Sequence, residues 1–176
     1  MFTDISKFNN ISDYLPILNG SFLADILIIF ATFYLPKIIG SNQLANWYKK
    51  YGLSAVIADT LILVIGMIIA RALYSKIFGD EFNIFKFAFL VLIIQIIHDF
   101  VFYFGIIKPL PRGVNNMIDM FKDYAEEVSV GAVVGDSIMI TMAVIFASLF
   151  AGYNNNTNII ILIILVYLMP YIVNAK

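Results

Sequence analysis

Five stretches of this chain are each long and apolar enough to cross a bilayer, and they limit its fold more than any other feature. They cover residues 22–39, 53–74, 84–107, 128–152 and 157–174. A helix needs about 20 mostly apolar residues to span roughly 30 Å of hydrocarbon. The fifth run is short but carries no charged residue. A soluble fold fails on surface area: 61% of the 176 residues are hydrophobic, 13% are charged, and mean hydropathy is +0.91. A body of this size has too little interior to hide so much apolar surface. The expected fold is all-α, a single polytopic membrane domain (1–176) built as a bundle of five transmembrane helices in a lipid bilayer.

The connectors suit short helices lying at the membrane surface. In segment 43–51, Leu44, Trp47, Tyr48 and Tyr51 sit with Lys49 and Lys50, the aromatic-plus-basic mix of the headgroup layer. Prolines break the chain in KPLPRG (108–113). Over 114–127, Val114, Met117, Ile118, Phe121 and Ala125 recur at helical spacing opposite Asp119, Lys122, Asp123 and Glu126. Segment 1–19 is expected to lie on the surface in the same way. It lacks the basic-then-apolar pattern of a cleavable leader. With five spans, the loops after spans one and three share a side with the C-terminus. That side holds Lys37, Lys49, Lys50, Lys108, Arg112, Lys122 and Lys176, against Lys7, Lys76 and Lys86 opposite, with Arg71 at the membrane edge. The positive-inside rule then puts the N-terminus outside or in a lumen and the C-terminus in the cytosol.

Within the spans the chain nearly repeats itself. SAVIADTLIL (54–63) and GAVVGDSIMI (131–140) share a small residue, three apolar residues and an Asp followed by a hydroxyl; GSFLADIL (20–27) follows the same theme. Gly20/Ala24, Ser54/Ala58 and Gly131/Gly135 are each spaced by four, the pattern that lets helices approach closely. Each pair directly precedes an Asp, which suggests duplicated helices, and close contact there would bring spans two and four together.

Three acids fall at one depth. Asp59 lies 59 − 50 = 9 residues past Lys50, Asp136 lies 136 − 127 = 9 past Glu127, and Asp99 lies 108 − 99 = 9 before Lys108. At 1.5 Å per residue, each is about 13 Å from its nearest charged anchor. His98 is adjacent, Gln95 and Tyr103 share the Asp99 face, and Thr60, Ser137 and Thr141 add hydroxyls. No Lys or Arg is expected at that depth. Three buried carboxylates without a cationic partner cannot all stay ionised: some carry protons, or a bound cation supplies the charge. Acids inside spans often mark ion or proton paths. A hard divalent ion would suit the oxygens, while His98 would suit Zn, Mn or Fe. The competing reading is that each Asp locks the bundle through hydroxyl or backbone groups of neighbouring helices. Asp25, entering from the outer side, is expected near the opposite face in a structural pair with Arg71. His98, the chain's one histidine, cannot face a small site together with Asp99, because adjacent helical residues diverge by about 100°.

Other function classes find no support. A net charge of −1 offers no nucleic-acid surface. The absence of cysteine removes disulfides, thiolate metal sites and thiol nucleophiles. No nucleophile-elbow, His-Glu-x-x-His or phosphate-loop pattern is present. Asp59 and Asp136 could approach as a catalytic dyad, yet no aspartyl motif surrounds them, so an enzyme is not expected. The leading expectation is a channel- or transporter-like protein, expected to be a homo-oligomer because five short spans make a small body in which a conduction path forms more easily between subunits; the alternative is an organising membrane protein.

FKDYAEEV (121–128) followed by GAVVGDSIM (131–139), with IHDFVFY (97–103) upstream, resembles multi-span membrane proteins encoded by large DNA viruses and some protists. The likeness covers spans two to four. It implies a viral or host endomembrane setting, such as a virion inner membrane, and assigns no site residue.

Overall fold

The computed structural model describes residues 2–39 and 41–174; Met1 and Lys176, which the surface segment and the charge comparison include, lie outside the described residues. The elements are helices throughout the described residues. A single 3₁₀ turn (Ile11–Asp13) leads into α1 (Tyr14–Tyr34), followed by α2 (Pro36–Ile39), α3 (Asn42–Tyr51), α4 (Leu53–Phe78) and α5 (Ile84–Phe102). A π turn (Tyr103–Ile107) extends α5, and α6 (Asn116–Val128), α7 (Val130–Phe150) and α8 (Asn155–Val173) complete the chain. Five of these are long and apolar enough to cross a membrane: Ile11–Tyr34, Leu53–Phe78, Ile84–Ile107, Gly131–Phe150 and Asn155–Val173. The fold is the all-α bundle expected from the sequence.

Helix α1 is the hub. Of its most apolar stretch 56% is buried, against 22% for the spans built on α5 and α8. It packs most extensively on α7, and also on α8 and α4. One core cluster joins Ile17 and Ala24 of α1 to Met67 and Ala70 of α4, Val91 of α5 and Ala143 of α7. The outward faces stay apolar, with Ile57, Leu61 and Ile65 on α4 and Ile160, Ile163 and Tyr167 on α8 exposed. That pattern suits a lipid surround, where an apolar exterior carries no penalty.

The first span begins at Ile11, not residue 22. Pro16 sits in the first turn of α1, where no backbone donor is lost. Asn19 and Ser21 interrupt the hydropathy but not the helix, because both are fully buried and hydrogen-bonded. Asn19 Nδ2 donates to the Asn158 carbonyl on α8 (2.9 Å), and Ser21 Oγ donates to the Ile17 carbonyl (2.9 Å). Only residues 2–10 remain of the expected N-terminal surface segment. They form an extended strap over the end of the bundle, with Ile5 fully buried and Thr3 bonded to Ser148 through Ser148 Oγ (2.7 Å).

A repeat larger than the decapeptides emerges in three dimensions. α3 joins α4 through one residue, Gly52 (φ 53°, ψ −127°), and α6 joins α7 through one residue, Ser129 (φ 47°, ψ −121°). The offset between hinges is 129 − 52 = 77, equal to that between the acids, 136 − 59 = 77. Each unit is thus an amphipathic helix, a one-residue hinge, a span with Asp at the seventh residue past the hinge, and a returning span. Glycine adopts this backbone freely; Ser129 is the one non-glycine residue with positive φ among the described residues, and it holds the conformation under strain.

Candidate functional site: an acidic group under two amphipathic helices

Moving the start of α1 relocates Asp25. It lies mid-span, fully buried, and accepts hydrogen bonds from Tyr48 Oη (3.1 Å) and Thr60 Oγ1 (3.2 Å). The expected Asp25–Arg71 pair is not made. Arg71 pairs with Asp13 (3.1 Å), donates to the carbonyls of Lys7 and Asn10, and stacks over the Tyr14 ring (4.7 Å). The reason is register: with α1 starting near Ile11, the acid one turn from the outer end is Asp13, and Asp25 reaches inward to α3 and α4.

Asp25 therefore joins the acids it was expected to oppose. Asp59, half-buried on α4, accepts from Trp47 Nε1 of α3 (2.9 Å). The Tyr48 hydroxyl lies against both Asp25 and Asp59; burial, then those two carboxylates, pushes its phenol well above the usual tyrosine range and keeps it a donor. Asp99 Oδ1 accepts from Gln95 Nε2 (2.7 Å) and faces His98 Nδ1 (3.3 Å), while its Oδ2 is buried with no partner among the described residues. His98 stacks on Phe102 at 5.6 Å. Asp136 sits close enough to Asp99 and Asp59 to feel their charges, yet makes no hydrogen bond or ion pair among the described residues. Among those residues, no three His, Asp or Glu side chains lie close enough to hold a metal ion.

The hydroxyls divide. Thr60 belongs to the acidic group through Asp25. Ser137 and Thr141 bond back to their own helix, to the carbonyls of Val133 (2.6 Å) and Ser137 (2.7 Å). Both line an open apolar groove between α5 and α7, with Leu92 and Ile96 opposite. The small residues divide as well. Gly20 and Ala24 are buried where α1 meets α7. Ser54, Ala58 and Gly131 are exposed, and a Cβ at Gly135 would meet nothing within 4 Å, so these two pairs bring no helices together.

Sequence reasoning missed the contribution of α6. Phe121 packs on Trp47 (4.8 Å) and edge-on to Phe102 (6.0 Å), fixing α6 beside α3. Tyr124 is half-buried over the acids. Burial first, then the charges of Asp136, Asp59, Glu127 and Asp99, holds its phenol well above the usual tyrosine range. Glu127 caps the start of α3, accepting from Ser41 Oγ (2.9 Å), Asn42 N (3.0 Å) and Gln43 N (2.9 Å). Partial burial works against its charge, but those donors win and hold its carboxyl below the ordinary 4.5. A depressed carboxyl stabilises the docked state fully above its unfolded value, and that contribution fades as pH falls through the folded value. Docking of α3 should hence weaken below pH 4.5. Glu127→Gln should weaken it at neutral pH by about 1 kcal/mol, typical of a lost cap. Trp47, the single tryptophan, reports both through acrylamide quenching of its emission. Equal quenching in wild type and variant across that range would refute the cap.

The signal for this arrangement was present in the 77-residue offset, which aligns Trp47 with Tyr124 (124 − 47 = 77) as well as Asp59 with Asp136. No family model matches the chain, and no curated protein or solved structure matches it either.

Proposed function

We propose that the protein is a transporter-like membrane protein that binds protons at its acidic group, with Asp136 as the exchanging carboxyl. One observation carries the reading: Asp136, half-buried on α7 and near enough to Asp99 and Asp59 to feel their charges, has no hydrogen-bond or ion-pair partner among the described residues. A carboxylate so placed is costly unless neutralised. The lack of a three-ligand group among the described residues favours a proton over a metal ion as the neutralising species. The basic balance of the loops supports an orientation with this group nearer the cytosolic side and the N-terminus outside or lumenal. The exposed small residues Ser54, Ala58 and Gly131 offer a place for a second copy in a homo-oligomer.

A second reading has its own support. Asp25 and Asp59 are tied by Thr60, Tyr48 and Trp47, as expected of acids that pin helices in an organising membrane protein. Flux separates the two. Purified protein in liposomes, with internal pH followed under a set voltage, should pass protons, and Asp136→Asn should reduce that flux at least tenfold, in line with losing a titrating group on the path (about one decade per 1.4 kcal/mol). Tight liposomes with intact wild-type protein would sink the proton reading in favour of the organising one.

A further inference from the structure

Helix α1 is the most buried of the spans, yet at its C-terminal end it turns an apolar face outward. Leu27, Phe30 and Tyr34 lie along one side of the helix and are exposed, and the Phe30 and Tyr34 rings stack at 4.7 Å. Phe33, the neighbour of Phe30 on the helix surface, carries the Lys49 ammonium of α3 over its ring at 5.9 Å. Lys37 follows on α2, 37 − 33 = 4 residues past Phe33, and is exposed. Neither lysine pairs with a carboxylate among the described residues. Arg112, by contrast, is engaged by Asp123 (2.7 Å) and Glu126 (3.1 Å), and Lys122 by the Leu110 carbonyl.

We infer that an anionic phospholipid docks at this end of α1, with its phosphate on Lys37 and Lys49 and one acyl chain along Leu27, Phe30 and Tyr34. Three features favour it. An aromatic ring takes one side of an ammonium and leaves N–H donors free for a second partner. Phosphate is the partner that a bilayer supplies at this depth, because α3 is an amphipathic helix of the headgroup layer and unpaired lysines there attract anionic lipids. The exposed stripe runs from those lysines toward the middle of the span, the direction of an acyl chain, and the stacked rings give that chain a fixed wall. A soluble phosphate would use the lysines and leave the stripe without a role. Docking also reaches the acids. Tyr48, beside Lys49 on α3, donates to Asp25 (3.1 Å), so a headgroup that holds Lys49 steadies the helix over Asp25. The inference does not rest on proton binding.

The test is native mass spectrometry of the purified full chain with equal amounts of dioleoyl phosphatidylglycerol and dioleoyl phosphatidylcholine. The wild type should retain the anionic lipid about twentyfold better, the ratio expected for two lysines near the headgroups. Lys37→Gln combined with Lys49→Gln should bring that ratio near one. Lys108→Gln should leave it unchanged, since the Lys108 ammonium lies over the Phe104 ring (5.4 Å), past the end of α5. Equal retention of the two lipids by wild type overturns the inference, as does a preference that survives the double variant. A preference that Lys108→Gln also abolishes would reflect surface charge at large and overturns it too. So would displacement of the lipid by soluble glycerol phosphate at matched concentration, because the stripe would then contribute nothing. Should the double variant misfold, judged by Trp47 emission, amine acetylation of the wild type decides. In nanodiscs containing phosphatidylglycerol, Lys37 and Lys49 should react about fivefold more slowly, relative to Lys108, than in nanodiscs of phosphatidylcholine alone. Equal relative rates overturn the inference.

Discussion

Replacing Gly20 with alanine is expected to destabilise the bundle by about 3 kcal/mol, at the upper end of what overpacking costs. A Cβ there would sit 2.5 Å from the Ala147 backbone nitrogen, 2.7 Å from the Ala143 carbonyl oxygen and 2.9 Å from the Ala147 Cα. All three are main-chain atoms within a helix, so no side chain can swing aside. Relief comes only by parting α1 from α7, the most extensive helix contact in the fold. Without a hydrophobic drive between helices in lipid, such close packing is a main source of association. Thermal unfolding in nanodiscs should show a large drop in midpoint, and leucine should prevent stable folding. Gly135→Ala is the control: its Cβ would have nothing within 4 Å, and its midpoint should match wild type. Equal midpoints for the two variants would mean that α1 and α7 do not approach at Gly20.

Which features the sequence displayed, and which it hid, follows from the reach of each signal. Spans show themselves through sustained hydropathy, a property of each stretch alone, and so the all-α bundle was legible. The start of α1 was not, because Asn19 and Ser21 depress local hydropathy while the Asn19 amide nitrogen bonds Asn158 and the Ser21 hydroxyl bonds the Ile17 carbonyl. That displaced Asp25 by more than two turns and gave it the wrong partner. Spacing places Asp59, Asp99 and Asp136 along their helices, but it carries no information about partners. Whether a carboxylate is bonded, as Asp59 is by Trp47, or without a bond among the described residues, as Asp136 is, depends on contacts between elements. The small-residue pairs show the same limit: one pattern of spacing is buried at Gly20 and Ala24 and exposed at Ser54 and Ala58, since nothing local states which face meets a neighbour.

Arg71→Met should cost 3–5 kcal/mol, roughly the penalty for removing one partner of a buried ion pair. Arg71 is 1% exposed and Asp13 is 4% exposed, so the variant leaves a carboxylate buried without its counter-charge. It also removes the donor that holds the Lys7 and Asn10 carbonyls, which leaves the N-terminal strap tied mainly by Ile5 and by Thr3 on Ser148. Trypsin should then cut at Lys7 much faster than in wild type, while the spans stay protected. Arg71 is itself incompletely compensated, since its Nε and Nη1 are buried with no partner among the described residues. Replacing both members, Arg71→Met with Asp13→Leu, should therefore recover most of the lost unfolding midpoint, because neither desolvated charge remains. The strap should stay loose in the double variant, as no donor to its carbonyls has been restored. A double variant no more stable than Arg71→Met would show that Arg71 acts through its strap contacts alone, and rapid cleavage at Lys7 in wild type would show that the strap is not docked.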